Sequence, residues 1–570
     1  MSTPHRPTIP PLGAALLLTL LIPQILAADS FMGSEYNSTI TQELALVLDE
    51  TDDDEWLTVI VVMRDQLKSD PLQLPVPDRI HFYRRTALLA QQNLISDLRE
   101  EDPDSFVVED QNWLTNSILM RAKPPRIKQI AKRKDVHKIS RNGIVRLVDP
   151  VLQPVTWVSE PGVAWGADAI DAELCWAEGY DGTGVIVAHT DTGVDPDHPA
   201  LAGKFTGYWF DAVNGGAAPY DDNGHGTHTL GTLLGGDGLG PYPDDLGVAP
   251  GARWVGVKVM DARGVGTYQQ CLKGLEYIAT LKVDVDIKVV CGSWSLANTH
   301  EDMLFFACEK LREFGIVTVF AAGNDGPGPQ TADTPSNYPM VIGVGAVDRD
   351  DLVADFSARG DAPQIAPWSV ASYWYNPHWS FRKPDLTAPG VDVRSCAPGG
   401  GFRRLSGTSM AAPHVAGVVA LLLQRDASLA PRDVYDILTG TTDAEEGGKH
   451  SSAYGWGRVN AWAALRSVTL SIAADDPRPA PGLTLSSIPR GSGRSLRFAL
   501  PRSSPVDLKV YNVAGQCVRA LVSGVSFEEG PQEVVWDGRD DRGRWSTSGV
   551  YFVRLTASGR STSCKFALVR

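Results

Sequence analysis

The chain has 570 residues, too many for one hydrophobic core of ordinary size, so about three or four domains of ~100–200 residues are expected. Hydrophobic residues at 43% and charged residues at 21% exclude a chain that is disordered throughout. A net charge of -16, from 52 basic and 68 acidic residues, disfavours nucleic acid as a general partner, and seven cysteines without a C-x-x-C pair exclude a zinc ribbon or a disulfide-dense scaffold.

In chain order, His5 and Arg6 precede an apolar run from Leu12 to Leu26, followed by Ala27 and Ala28. That layout predicts a secretory signal peptide over residues 1–28 and an exported product. Pro23 and Gln24 interrupt the run and leave it short of the ~20 residues that span a bilayer. Residues 29–150 read as a small α+β unit. Leu57–Met63 is a β-rich strand, and Asp78–Arg99 is an amphipathic helix carrying Ile80, Tyr83, Ala87, Leu88, Ile95 and Leu98 near one face. Apolar runs at Phe106–Val108 and Ile118–Met120 precede a helix opening at Pro124 and Pro125, and a last strand is expected around Ile144–Val148. The order β-α-β-β-α-β predicts a ferredoxin-like unit. Its basic stretch, Arg121–Arg146, reads as a solvated helix face rather than a polyanion site.

Residues 151–468 alternate short apolar strands with helical segments. The strands are expected at Val185–Ala188, Trp254–Val259, Ile287–Val290, Ile316–Ala322 and Val341–Val347. Such runs predict an α/β domain with a mostly parallel sheet flanked by helices and a site at the strand ends. Residues 469–484, with the proline-dense Asp475–Gly482, read as a linker. Residues 485–570 read as an all-β sandwich with strands at Val506–Asn512, Glu533–Trp536, Val550–Thr556 and Lys565–Val569 and turns at Ala514-Gly515 and Asp537-Gly538.

Four pieces of the central domain carry chemistry. An apolar strand ends in Asp191-Thr192-Gly193, a fixed and shielded carboxylate, with Asp195 and Asp197 read as turn residues. Asn223-Gly224-His225-Gly226-Thr227-His228 opens a helix on a histidine with small neighbours that let a substrate backbone approach. His225 and His228 are three apart, but no glutamate lies between them, which argues against an H-E-x-x-H zinc site. Ser409 begins an apolar helix among small residues, where the helix dipole favours developing negative charge; a helix-capping serine is the plainer alternative. Gly323-Asn324-Asp325-Gly326 follows an apolar strand and offers an amide donor for an oxyanion.

Together, in the order aspartate, histidine, serine, these blocks resemble the signatures of subtilisin-like serine proteases over roughly residues 165–465, including Leu246–Pro250, Lys383–Pro389 and Tyr454–Asn460. The resemblance implies a serine endopeptidase with nucleophile Ser409, base His225, orienting Asp191 and oxyanion donor Asn324. It implies two peptide-binding edges, Gly264-Val265-Gly266 and Ser293-Trp294-Ser295, acting through their backbones. Ser295 stands where the family usually has glycine. Ala200 stands where the family often has a calcium-binding aspartate, so the metal residues are unknown. Structural calcium at Asp221 and Asp222 or at Asp244 and Asp245 is the alternative to solvated acidic loops.

No cofactor is implied for catalysis. Residues 29–150 resemble an inhibitory propeptide, cut within about Val148–Val163, that keeps the enzyme a zymogen. The C-terminal module resembles immunoglobulin-like sorting domains that engage secretion machinery, with a spacer or carbohydrate-contacting module as alternatives and Cys517–Cys564 as a candidate disulfide. The expected partners are protein or peptide substrates outside the cell. An α/β-hydrolase esterase needs its acid and histidine after the serine, where only His414 and His450 remain. A secreted binding protein with a relic protease domain is opposed by the complete set of four residues.

Overall fold

The structure, a computed structural model, describes residues 39–64, 74–147, 160–296, 298–375, 381–443, 450–468, 484–490, 493–500, 503–512, 516–528, 530–557 and 560–568. The expected signal peptide, the Asp475–Gly482 linker, the Ala514-Gly515 turn and most of the Val148–Val163 stretch lie outside the described residues.

Near the N-terminus a four-stranded antiparallel sheet has the order Phe106–Asn112, Ser117–Ala122, Leu57–Met63, Val136–Arg141. Helices Val76–Glu101 and Pro124–Ile130 connect its strands in the ferredoxin-like arrangement. The long helix starts behind Pro75 and buries Ile80, Tyr83, Ala87, Leu94, Ile95 and Leu98, whereas Leu88 is exposed. The last strand differs from expectation. Val136 and Ile139 are buried in the unit's own core, so Val136–Arg141 completes the sheet, and Ile144–Arg146 leaves it.

The basic stretch is not a solvated helix face either. Only residues 124–130 of it are helical; Arg126 is buried against Glu101 and Ser105, and Lys138 pairs with Glu301 and Asp302 of the central domain. Along Leu57–Met63, Val59, Val61 and Met63 face the unit's own core, while the alternate Ile60 and Val62 join the core of the central domain. The unit is therefore docked, chiefly on helices Tyr268–Leu281 and Phe305–Glu313: Leu114 N–H donates to Glu276, Tyr83 OH to Glu313, and Lys273 pairs with Asp110.

The central domain holds a seven-stranded, wholly parallel sheet in the order Leu386–Pro389, Ile342–Val347, Val317–Ala321, Ile287–Gly292, Ile186–Asp191, Arg253–Lys258, Phe205–Asp211. Its five inner strands are the expected apolar runs; the aromatic edge strand Phe205–Asp211 and the short Leu386–Pro389 were not expected. Helix Thr408–Arg425, buried from Thr408 to Leu423, packs on the middle of the sheet. After Ile186–Asp191 the chain builds toward one edge, and from Ile287–Gly292 it builds toward the other. These neighbours thus flank the topological switch point, where α/β sheets open a crevice at the carboxyl ends of their strands.

The C-terminal module packs a three-stranded antiparallel sheet (Thr484–Arg490, Gly493–Leu500, Gly530–Trp536) with a four-stranded one ordered Cys517–Phe527, Ser504–Asn512, Gly549–Ala557, Arg560–Leu568. Leu496, Phe498, Leu508, Trp536, Val553 and Phe566 share its core. Strands 484–490, 493–500 and 517–527 were not expected. The Cys517–Cys564 bridge is ruled out: the two residues lie on opposite edge strands, three strand spacings or about 14 Å apart, and a disulfide needs Cα atoms within about 7 Å.

Candidate functional site

Asp191 ends its strand at the switch point with no exposed surface. Its Oδ1 accepts from His225 Nδ1 at 2.7 Å and from Thr192 N–H at 2.8 Å, and its Oδ2 accepts from Thr229 Oγ1 at 3.1 Å. Burial alone raises its pKa, but the charge and hydrogen bond of His225, with the Thr192 N–H, hold it below the ordinary carboxylate value. Because Nδ1 carries the proton shared with Asp191, His225 Nε2 presents a lone pair; it is buried and makes no hydrogen bond among the described residues.

His225 opens helix His225–Leu234 behind Gly224. Asp221 braces this end: it accepts from Asn223 N–H, Gly224 N–H, Thr227 N–H, Thr227 Oγ1 and Thr192 Oγ1, a carboxylate at a helix N-terminus. Gly226 is required for packing, since a Cβ there would lie 2.0 Å from the Gly193 carbonyl oxygen. His228 points elsewhere, its Nε2 bonding the Val393 and Arg403 carbonyls, and burial pushes its pKa down to about 3. Among the described residues no three His, Cys, Asp or Glu side chains gather as a metal site.

Ser409 is the second residue of helix Thr408–Arg425, and Gly407 is the N-cap, so its hydroxyl does not cap the helix. Instead Ser409 Oγ donates to the Ser293 carbonyl at 2.9 Å, and it shares no hydrogen bond with His225. Pro413 is the sixth helical residue, deeper than a first turn. Asn324 accepts from Thr408 N–H and Thr408 Oγ1 through Oδ1, each at 2.9 Å, which orients the amide and leaves Nδ2 beside Gly407, 3.1 Å from where a Cβ would stand.

Both expected peptide edges border the same cleft, and the departing N-terminal segment lies against them. Ile144, Val145 and Arg146 pair antiparallel with Thr267, Gly266 and Val265, and Leu147 N–H donates to the Gly264 carbonyl at 2.8 Å. Arg146 also bridges antiparallel to Ser295 on the other edge. Trp294 turns its ring into the core, where Nε1 donates to the Thr190 carbonyl at 3.0 Å, so this edge offers its backbone.

The acidic pairs weighed for calcium are already engaged. Asp221 braces the helix, Asp222 pairs with Lys258, Asp244 with Arg394, and Asp245 accepts from Asp237 and Gly238 N–H. Asp244 and Asp245 are buried, contrary to the solvated-loop expectation. Ala200 N–H is taken by His198 Nδ1.

Sequence reasoning missed Thr229, Thr408, His189 and Asp333. Thr229 lies one helical turn beyond His225, a spacing that had the information. His189, whose pKa burial lowers, lies 2.9 Å through Nε2 from Thr229 Oγ1. Asp333 reaches the site only through folding.

Residues 182–457 match the subtilase family, and residues 486–561 match the FlgD Ig-like domain. The chain is 37% identical to bacillopeptidase F of Bacillus subtilis (strain 168) over 356 residues, 56% of this chain and 24% of that protein. It is 37% identical to serine protease AprX of the same strain over 311 residues, 49% of this chain and 66% of that protein. Against subtilisin E, also of that strain, identity is 34% over 314 residues, 53% of this chain and 71% of that protein. The chain spans about a quarter of the length of bacillopeptidase F and just under two thirds of AprX. On this sequence kinship and a seven-stranded parallel sheet flanked by helices, the chain belongs to the subtilase family and carries an FlgD-type immunoglobulin-like domain at its C-terminal end.

Proposed function

We propose that the chain is a secreted serine endopeptidase, made as a zymogen whose N-terminal unit, residues 29–150, blocks the cleft until it is cut. The observation that carries this reading is the extended segment 144–147, whose backbone is paired with one edge of the cleft and whose Arg146 bridges to the other. Two residues before Ser295 on that edge is Ser293, whose carbonyl already holds the Ser409 hydroxyl, so the paired segment ends beside the nucleophile. Val148 lies outside the described residues, and the bond proposed for cleavage is Val148–Asp149.

In this mechanism Ser409 Oγ leaves the Ser293 carbonyl and gives its proton to His225 Nε2, which has no hydrogen-bond partner among the described residues. Asp191 steadies the imidazolium that forms. Attack on the peptide carbonyl creates an oxyanion that Asn324 Nδ2 and the Ser409 N–H, a donor in the first turn of its helix, are suited to hold. His225 returns the proton to the leaving amine, and water then hydrolyses the acyl-enzyme with His225 again as base. No step calls for a cofactor. Among the described residues no helix is long and apolar enough to cross a membrane. Export rests on the sequence reading of residues 1–28, and engagement of secretion machinery on the immunoglobulin-like domain.

Expression of the full chain and of its Ser409→Ala variant tests the proposal. Wild type is expected to be processed to a form beginning at Asp149 and to hydrolyse casein, while Ser409→Ala stays uncut and inactive. Equal processing and casein hydrolysis in both would overturn it.

A further inference from the structure

Asp333 is a buried carboxyl that the mechanism does not use. It is 3% exposed, and its side chain has one hydrogen bond among the described residues, from Ser295 Oγ at 2.9 Å. Desolvation raises its pKa to about 7, and the nearby Asp325 pushes in the same direction. Asp385 shows how this fold buries a carboxyl for structure alone. It receives Lys383 Nζ at 2.7 Å, Gly343 N–H at 2.7 Å and Tyr435 OH at 2.9 Å. Asp333 has no such set, and a buried charge without a cation is costly.

Its position gives that cost a purpose. The Asp333 carboxyl lies between Ser295, on the edge that pairs with extended backbone, and Gly323, which precedes Asn324; a Cβ on Gly323 would sit 2.7 Å from Asp333 Oδ2. The segments that frame it are the ones that frame Ser409, since Ser293 holds the Ser409 hydroxyl and Asn324 holds Thr408. A peptide residue whose carbonyl lies between Ser409 and Asn324 therefore projects its side chain into the space between 293–295 and 323–324, toward this carboxyl.

We propose that Asp333 is a specificity-determining residue, the anionic floor of the pocket for the side chain that precedes the cut bond, and that the protease prefers lysine or arginine there. This rests on the endopeptidase reading. Ser295 positions the carboxyl, and the hydroxyl absent from a glycine at that position gives Asp333 its one fixed partner. A cationic side chain supplies the missing counter-charge.

The test uses the processed enzyme from the full chain and peptide nitroanilides that differ only in arginine, lysine, leucine or glutamate before the cleaved bond. The expected result is kcat/KM for arginine and lysine at least about ten-fold above leucine, with glutamate lowest. In Asp333→Asn the arginine-to-leucine ratio is expected to fall at least about ten-fold, with Asp333→Ser as the second variant if the first does not mature. Leucine equal to or above arginine in wild type, or an unchanged ratio in the variants, would overturn the proposal while leaving the endopeptidase reading intact. Hydrolysis of none of the four by a processed wild type would overturn both.

Discussion

Ser293 and Ser409 exchange hydrogen bonds: Ser293 Oγ donates to the Ser409 carbonyl, and Ser409 Oγ donates to the Ser293 carbonyl, each at 2.9 Å. The first of these answers a defect in the helix. Residue 413 is a proline and has no N–H for the Ser409 carbonyl four residues earlier. Ser293→Ala is therefore expected to leave that buried carbonyl unsatisfied and to destabilise the protein by about 1–3 kcal/mol. In a Pro413→Ala background the helix supplies its own donor, and the cost of Ser293→Ala is expected to shrink by about 1 kcal/mol or more. Thermal unfolding of the four inhibited enzymes closes this cycle; equal costs in both backgrounds would exclude the compensation.

A second prediction concerns Thr229, which donates to Asp191 Oδ2 and meets His189 Nε2 in the same buried space. Its hydroxyl has one proton, so when that proton goes to Asp191 the histidine is the donor to Thr229. Thr229→Val removes both contacts and frees Asp191 to rotate away from His225. The expected effect is a fall in kcat of about ten-fold or more with KM little changed, and recovery in Thr229→Ser. A loss of kcat that serine does not restore would mean that the residue acts through packing alone.

How much of this was legible in the sequence depends on how local each signal is. Asp191 ends a strand, His225 begins a helix, Ser409 is the second residue of another helix and Asn324 follows a strand by three residues, so the apolar patterns that mark those elements also mark where these four side chains stand. The Val136–Arg141 strand was hidden because Lys138 and Arg141 interrupt its apolar residues, and Lys138 is paired with acids far along the chain. Ile144–Arg146 did read as a strand, but its partner is 121 residues away at Val265–Thr267, a pairing that no local pattern encodes. Asp333 gave no signal because its meaning comes from Ser295 and Gly323, brought beside it by the sheet.

The docked N-terminal unit yields a third prediction. Glu276 is buried in the interface, where it accepts from Leu114 N–H at 3.1 Å and pairs with Lys273. Burial raises its pKa, the Lys273 charge opposing, so the carboxylate is held at a cost that the Leu114 bond offsets only while the unit is docked. Glu276→Ala is expected to weaken docking by about 1–3 kcal/mol, roughly 5–150-fold in affinity. Pulse-chase of the full chain should then show the cut N-terminal unit released from the enzyme sooner than in wild type. Release at an unchanged rate would remove Glu276 from the docking contacts that matter.

The last prediction turns on pH. The Asp333 carboxyl has a folded pKa of about 7 against an ordinary value of 3.8, raised chiefly by burial. A folded pKa above the unfolded one means that the neutral form is favoured on folding. The contribution is therefore fully present below about pH 4 and is lost as the pH rises through about 7. The full shift bounds the loss at something on the order of 4 kcal/mol. Asparagine accepts the same Ser295 hydroxyl without ever ionising. In a Ser409→Ala background, which keeps the N-terminal unit in place, Asp333→Asn is expected to match its parent in thermal stability near pH 4, to exceed it increasingly up to about pH 7, and to keep a constant advantage above that. Parallel curves across that range would mean that Asp333 stays ionised or neutral throughout and that its burial carries no pH-dependent cost. A gap that opens with pH identifies the carboxyl as one that the fold retains against its own stability, as a pocket built for a cationic side chain requires.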